Sequence, residues 1–259
     1  KDTGEWRMNN EDKVCGQANL NGRQLLLMGI GIAVSLIISI TSIILIFIMP
    51  DKGISANEIY QACIENVVEV RASSEEVGES FGTAEIISAD GTMVTNAHVV
   101  TYTRLGVLNT FEEYSFRFSY EEDYRAAELI KYDSDKDIAV LKISDTTGLA
   151  LTPIKTADSE AVSAGDKVYA VGNAANYGIG IFEGIVSIPL LNIEADGVTR
   201  EVIQCDLTIA AGNSGGALLN ERGELIGLTT FRTRDNSGNV IYGIVYSIPI
   251  NTFLEYVGQ

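Results

Sequence analysis

Residues 133–142 read Asp133-Ser134-Asp135-Lys136-Asp137-Ile138-Ala139-Val140-Leu141-Lys142. A charged segment gives way abruptly to four apolar residues, then returns to charge. So short a run, bounded by turn signals and carrying β-branched residues, reads as a buried strand. Asp137 stands at the mouth of that strand, where a carboxylate can be held away from water. Asp133 and Asp135 read as solvated turn residues. Their spacing also suggests a calcium loop, but the sixth and twelfth positions are Ile138 and Ser144, where such a loop needs Gly and Glu.

Similar short runs recur on both sides. Val67-Val68-Glu69-Val70, Ala84-Glu85-Ile86-Ile87 and Met93-Val94-Thr95 come before it. Lys167-Val168-Tyr169-Ala170-Val171, Ile185-Val186-Ser187-Ile188, Val202-Ile203, Leu225-Ile226-Gly227-Leu228 and Tyr242-Gly243-Ile244-Val245 come after. Turn signals such as Ala89-Asp90-Gly91 and Asn220-Glu221-Arg222-Gly223 separate them. Strands spaced this way, with no long amphipathic helix between them, predict an all-β sandwich or barrel. Residues 145–165 are less regular and rich in Thr, Ser and Ala, a candidate link between two β lobes. The acidic stretch from Glu112-Glu113 to Glu121-Glu122-Asp123 reads as a solvated loop. No internal repeat or low-complexity tract is evident.

The N-terminal quarter is different in kind. From Leu25 to Met49 the chain runs for twenty-five residues without a charge. At a rise of about 1.5 Å per residue this crosses a hydrocarbon core of about 30 Å. It exceeds the apolar region of a cleaved signal peptide, and Met49-Pro50-Asp51-Lys52 offers no small-residue cleavage site. A retained transmembrane helix is expected over 25–49, after a short N-terminal segment at 1–24 and before a connector at 50–63. Within that connector, Ile54 to Ala62 reads as amphipathic or irregular. Arg7, Lys13 and Arg23 precede the apolar run and Lys52 alone follows closely, so the N-terminus is expected in the cytoplasm and the large C-terminal domain outside.

Composition excludes some functions. Lys and Arg number 18 against 35 Asp and Glu, a formal net charge of -17. Nucleic-acid affinity comes from clustered Lys and Arg, and there is no basic cluster, so nucleic acid is not an expected partner. The three cysteines, Cys15, Cys63 and Cys205, have no metal-binding spacing. A Cys63–Cys205 bridge is open to them, but two buried thiols are the favoured reading. Neither a metal nor a cofactor is expected.

The remaining signal is chemical. His98, the chain's only histidine, lies in Val94-Thr95-Asn96-Ala97-His98-Val99-Val100. An imidazole titrates at about 6.5 when unperturbed, which suits it to general-base work. Downstream, Gly212-Asn213-Ser214-Gly215-Gly216 surrounds a serine with glycines that let the backbone turn its amides toward a reacting carbonyl. Asp137 lies between the two in sequence. His, Asp, Ser is the chymotrypsin-type order, distinct from the subtilisin and α/β-hydrolase orders.

Together, Thr95-Asn96-Ala97-His98-Val99-Val100, Asp137-Ile138-Ala139-Val140-Leu141-Lys142 and Gly212-Asn213-Ser214-Gly215-Gly216-Ala217-Leu218 resemble the HtrA/Deg family of trypsin-fold serine proteases. Ala170-Val171-Gly172-Asn173, Gly184-Ile185-Val186-Ser187, Gly223-Glu224-Leu225-Ile226-Gly227 and Ser247-Ile248-Pro249-Ile250-Asn251 extend the likeness, in collinear order, over roughly residues 64–255. The resemblance implies a chymotrypsin/trypsin-like double β-barrel, here a protease domain at 64–259 preceded by one transmembrane helix, with its active site between two perpendicular six-stranded barrels. It implies endopeptidase activity on unfolded or damaged proteins outside the cytoplasm of a bacterial cell, from a single-pass anchor in the cell membrane. A homotrimer is implied by the same likeness.

Carried over by residue, the resemblance makes Ser214 the nucleophile, His98 the base, Asp137 the group orienting His98, and the N–H groups of Gly212 and Ser214 the oxyanion hole. Thr208, Ile209 and Ala210, with Leu228, Thr229 and Thr230, would line the substrate pocket. No acid stands in either stretch, so small or medium aliphatic side chains are expected before the cleaved bond. In digestive relatives the position of Asn213 is an aspartate that pairs with a new N-terminus. A neutral amide cannot form that pair, so no zymogen cleavage is expected. The family's Gly-Asn-Pro is Gly172-Asn173-Ala174 here, and no peptide-binding PDZ domain is recognisable before Gln259. A tethered chaperone or binding module with little catalysis is the alternative reading.

Overall fold

A computed structural model describes residues 21–48, 53–195, 197–234 and 240–258. The chain divides into two units, Lys1–Lys52 and Gly53–Gln259. The first contains helix α1 (Gly22–Ile48). Asn21 and Gln24 cap each other's backbone N–H groups at its start, at 3.1 and 3.0 Å, so the helix begins before the apolar run does. The described side chains of α1 are exposed throughout, Leu25 at 57% and Ile37 at 61%. Three of its hydroxyls bond within the helix: Ser39 donates to Ser35 O at 2.9 Å, Thr41 to Ile37 O at 2.9 Å and Ser42 to Ile38 O at 2.8 Å. Over Gly22–Ile43 the mean hydropathy is 2.4, long and apolar enough to cross a membrane. The basic residues Arg7 and Lys13, Cys15 and the Met49–Lys52 stretch lie outside the described residues.

The second unit opens with helix α2 (Ala56–Cys63), where irregular chain was one expectation. Ser55 accepts from Glu58 N at 3.3 Å, while Glu58 accepts from Ser55 N at 2.8 Å, a capping box that nucleates the helix. Ile59 and Cys63 sit four residues apart on one face and are both buried. This stretch is thus part of the compact unit, packed into its core.

Strands β1 (Val67–Ser74), β2 (Gly78–Ile86) and β3 (Thr92–Thr95) come next, then the single-turn helix α3 (Ala97–Val100). Strands β4 (Thr101–Arg104) and β5 (Val107–Thr110) pair as a separate hairpin. After β6 (Glu113–Arg117), β7 (Arg125–Asp133) and β8 (Ile138–Ile143), the first barrel closes in the order β1-β2-β3-β8-β7-β6. Strands β9 (Lys167–Gly172), β10 (Gly180–Ala195), β11 (Val198–Asp206), β12 (Ala217–Leu219), β13 (Leu225–Arg234) and β14 (Val240–Pro249) close a second barrel, ordered β10-β11-β14-β13-β12-β9. Helix α4 (Ile250–Val257) is the last element among the described residues, with Gly258 in the left-handed region at φ 83°. The expected double β-barrel is therefore present.

Strand β6 corrects one expectation. The acidic stretch 112–123 is not simply a solvated loop, because Phe116 and Phe118 inside it are 0% and 2% exposed in the first barrel's core. Acids at both ends of the stretch mask an alternation of aromatic residues at 114, 116 and 118.

The apolar runs are continuous because the strands are covered on both sides. On β8, Ala139 and Leu141 face the first barrel's core with Val68, Val70 and Met93. Ile138 and Val140 face the other way, into a seam shared with Tyr169, Val171, Ala217 and Leu219 of the second barrel. Val168, Ala170 and Leu218 turn inward to the second barrel's own core. The seam binds the barrels to each other and to α2 and α4. Cys63 and Cys205 are free and buried, and burial pushes both thiols up to about 12.

Candidate active site

Asp137 lies in the β7–β8 turn, whose strands pair up to Asp133 opposite Ile138. Asp133 Oδ1 accepts from the N–H groups of Asp135 and Lys136, at 3.0 and 2.9 Å, which shapes the turn. Asp137 then takes φ 56°, a conformation uncommon for a non-glycine residue although aspartate tolerates it better than most. It turns the carboxylate back under α3. There Oδ1 accepts from His98 N at 3.0 Å, and His98 Nδ1 lies 3.0 Å from Oδ1 and 2.9 Å from Oδ2. Thr230 donates to Oδ2 at 2.6 Å. Asn96 Nδ2 holds the Asp137 carbonyl at 3.0 Å.

An ionised carboxylate can only accept, so this geometry selects the imidazole tautomer with its proton on Nδ1 and a free lone pair on Nε2. The His98 side chain is 48% exposed, while that of Asp137 is 7% exposed. Burial would raise the Asp137 carboxyl, but the hydrogen bonds and charge of His98 and the Thr230 hydroxyl outweigh it and hold the group below its ordinary value.

Ser214 reaches the same cluster from the second barrel. Its Oγ donates to the carbonyl of Thr230 at 3.2 Å, and the Thr230 hydroxyl is the one bound to Asp137. The backbone around it is crowded. Gly212 and Gly215 have φ 93° and 78°, and a Cβ on Gly215 would run into Thr95 Oγ1 and the Thr83 carbonyl. Beside His98 opens a cleft of about 700 Å³, lined by Tyr102 and Leu108 of the hairpin and by Val198, Arg200 and Phe231 of the second barrel. Arg200 Nε donates to Asp135 O at 2.6 Å, tying β11 to the turn that carries Asp137.

The chain belongs to the trypsin-like peptidase family. A model of the trypsin-like peptidase domain matches residues 82–228, a stretch containing His98, Asp137 and Ser214. Its relatives include Deg/HtrA-type serine proteases. It is 34% identical over 178 residues to serine endoprotease DegS of Haemophilus influenzae, covering 66% of this chain and 47% of that protein. It is 36% identical over 185 residues to periplasmic serine endoprotease DegP of Escherichia coli K12, covering 70% of this chain and 35% of that one. The chain thus spans between about a third and a half of those relatives' lengths. Among solved structures, the HtrA-type protease AlgW with tripeptide is similar, with a TM-score of 0.67 and 28% identity, covering 79% of this chain and 63% of that one.

The residues expected to line the substrate pocket in this peptidase fold are placed unevenly. Thr208 is exposed and Ala210 half-buried. Ile209 packs in the second barrel's core and Leu228 in the seam. Thr229 donates to the carbonyls of Asn213 and Gly216, at 2.6 and 3.1 Å. Thr230 is spent on Asp137. The side chains of 228–230 are therefore engaged in packing and hydrogen bonds. Asn213 is 1% exposed, and its side-chain amide has no hydrogen-bond partner among the described residues. Sequence reasoning missed the Asn96 bond to Asp137 and the buried Thr83, whose strand Gly78–Ile86 mixes Glu, Ser and Gly with few apolar residues and so gave no local signal.

Proposed function

We propose that the chain is a membrane-anchored serine endopeptidase that cleaves unfolded or damaged proteins outside the cytoplasm. The observation that carries this reading is the buried Asp137 carboxylate, bonded at once to His98 Nδ1 and to Thr230, whose own carbonyl meets Ser214 Oγ. In the proposed reaction Ser214 Oγ leaves Thr230 and attacks the scissile carbonyl. His98 Nε2 takes the hydroxyl proton, and Asp137 stabilises the resulting imidazolium. The N–H groups of Gly212 and Ser214 receive the oxyanion. Collapse expels the amine, which leaves with the proton from His98. Water then attacks the acyl-enzyme by the same steps in reverse, freeing the acid and the serine.

Thr208–Ala210 and Leu228–Thr230 contain no acid, which supports cleavage after Val, Ala or Leu rather than after Lys or Arg. Anchoring is supported by the length and apolarity of α1, and the basic residues before it support a cytoplasmic N-terminus.

The test is labelling of the full chain, in detergent or bilayer discs, with a fluorophosphonate. Labelling that disappears in Ser214→Ala is expected, together with digestion of casein. One observation favours the chaperone reading: the Ser214 hydroxyl is bonded to a carbonyl instead of to the base. A chain that binds a misfolded client but is not labelled at Ser214 would establish that alternative.

A further inference from the structure

We infer that Thr83 is a positioning residue for the oxyanion donors, through which the first barrel holds the reactive loop of the second. The inference rests on the endopeptidase reading, since it assigns a task within that reaction. Thr83 lies on β2 and is 0% exposed. Two of its groups, the backbone N–H and the hydroxyl, make three hydrogen bonds to the second barrel. Its N–H donates to the Ser214 carbonyl at 2.9 Å. Its hydroxyl donates to the Gly212 carbonyl at 2.8 Å and accepts from Asn173 N at 2.9 Å. Its own carbonyl accepts from Thr95 Oγ1 at 2.6 Å, which fixes it within the first barrel.

A trans peptide points its C=O and N–H in opposite directions within one plane, so whatever holds a carbonyl also aims the next residue's N–H. Ala175 N holds the Ala211 carbonyl at 2.6 Å, which aims the N–H of Gly212. Thr229 Oγ1 and Gly216 N hold the Asn213 carbonyl, at 2.6 and 2.8 Å, which aims the N–H of Ser214. Between these two planes lies the Gly212–Asn213 peptide. Gly212 has φ 93°, and glycine gives its neighbouring peptides more freedom to turn than any other residue. The Thr83 hydroxyl pins the carbonyl of this hinge.

The same hydroxyl steadies the first plane indirectly. Ala175 and Asn176 both take left-handed φ values, 56° and 63°, without being glycine. A turn built this way persists because its surroundings hold it. Asn173 N–H bound to Thr83 is one such hold, at the head of the turn that supplies Ala175 N. One hydroxyl thus uses its donor on the hinge and an acceptor site on the turn.

The experiment compares Thr83→Val, Thr83→Ala and Thr83→Ser in the full chain, with a chromogenic peptide substrate and with a peptide boronic acid that forms a tetrahedral adduct at the serine. Val and Ala are expected to lower kcat about 10- to 100-fold, less than outright loss of an oxyanion donor. KM should change by less than about 3-fold, since binding of the ground state does not use the donors. Boronate affinity should fall in step with kcat. Ser should restore kcat to within about 3-fold of the parent, because it keeps the hydroxyl. Thr83→Ala carries the test if Val proves too bulky to fold. The inference is overturned by parental kcat in Val or Ala, by a loss confined to KM, or by a Ser variant as impaired as Ala. Absence of Ser214-dependent labelling in the parent chain would sink the endopeptidase reading and this inference with it, whereas these variant results sink the inference alone.

Discussion

Thr83 and Glu85 are two residues apart on β2, point to the same face, and are both fully buried. At Thr83 the neighbours are loop carbonyls and an amide of the second barrel, and both its hydroxyl and its backbone are matched. At Glu85 the cross-strand neighbours are Val67 and Val94, and neither carboxylate oxygen has a hydrogen-bond partner among the described residues. Burial pushes the Glu85 carboxyl well above its ordinary value. Two polar residues with equal burial therefore differ in consequence because of what the facing chain offers. Where it offers unpaired backbone groups, burial strengthens a polar contact; where it offers methyl groups, burial is a cost.

The comparison breaks or sharpens at three places, taken from the largest effect downward. Asp137→Asn keeps the shape of the matched cluster but removes the acceptor that selects the His98 tautomer. A loss in kcat of about 10⁴-fold is expected in peptide hydrolysis, the size seen when a triad aspartate is so changed elsewhere. A loss under about 10-fold would mean that the cluster merely packs the barrels together.

Thr230→Val removes one bond to that carboxylate, and a hydrogen bond to a charged group is worth about 1.5–3 kcal/mol. A kcat about 10- to 100-fold lower follows. Because Asp137 is held below its ordinary value, its contribution to stability is present above that value and lost as pH falls through the lowered one. Without the Thr230 bond, acid unfolding should begin at a higher pH, read by circular dichroism. An unchanged acid midpoint would argue that Thr230 is incidental.

Glu85 runs with the opposite sign. Below the ordinary value of 4.5 the side chain is protonated in both the folded and the unfolded chain. Above it the unfolded chain ionises while the folded one resists, so stability falls as pH rises toward the raised value. Glu85→Gln cannot ionise and should flatten this fall. Relative to the parent, the melting temperature of Glu85→Gln should gain at least about 2 °C between pH 4 and pH 7, the size of a shift of roughly 1 kcal/mol in a domain this large. Parallel melting curves across that range would show that the carboxyl is satisfied after all.

How much of this was legible beforehand depended on whether the signal was local. The run from Ile138 to Leu141 announced a strand covered on both sides, and the structure divides those residues between barrel and seam. Strand β6 was hidden because flanking acids outweighed Phe116 and Phe118 in a reading by local charge. Helix α2 showed an amphipathic pattern, but only its packing made it part of the core. His98, Asp137 and Ser214 stood out by residue type and order. The family resemblance placed Thr230 in the pocket, whereas the structure turns its hydroxyl onto Asp137. Thr83 drew no notice, since a threonine in a strand is ordinary until a second barrel faces it.

By itself, the sequence determined which stretches are apolar, where the backbone must turn, that one helix is long enough for a membrane, and which side chains can exchange protons. These follow from residue chemistry and spacing within a few positions. Only the tertiary structure decided which buried polar groups found partners, because Thr83 meets Gly212 across 129 residues and Asp137 meets Thr230 across 93. Over such distances the partner is chosen by how two closed sheets pack, and nothing in the neighbouring sequence encodes that choice.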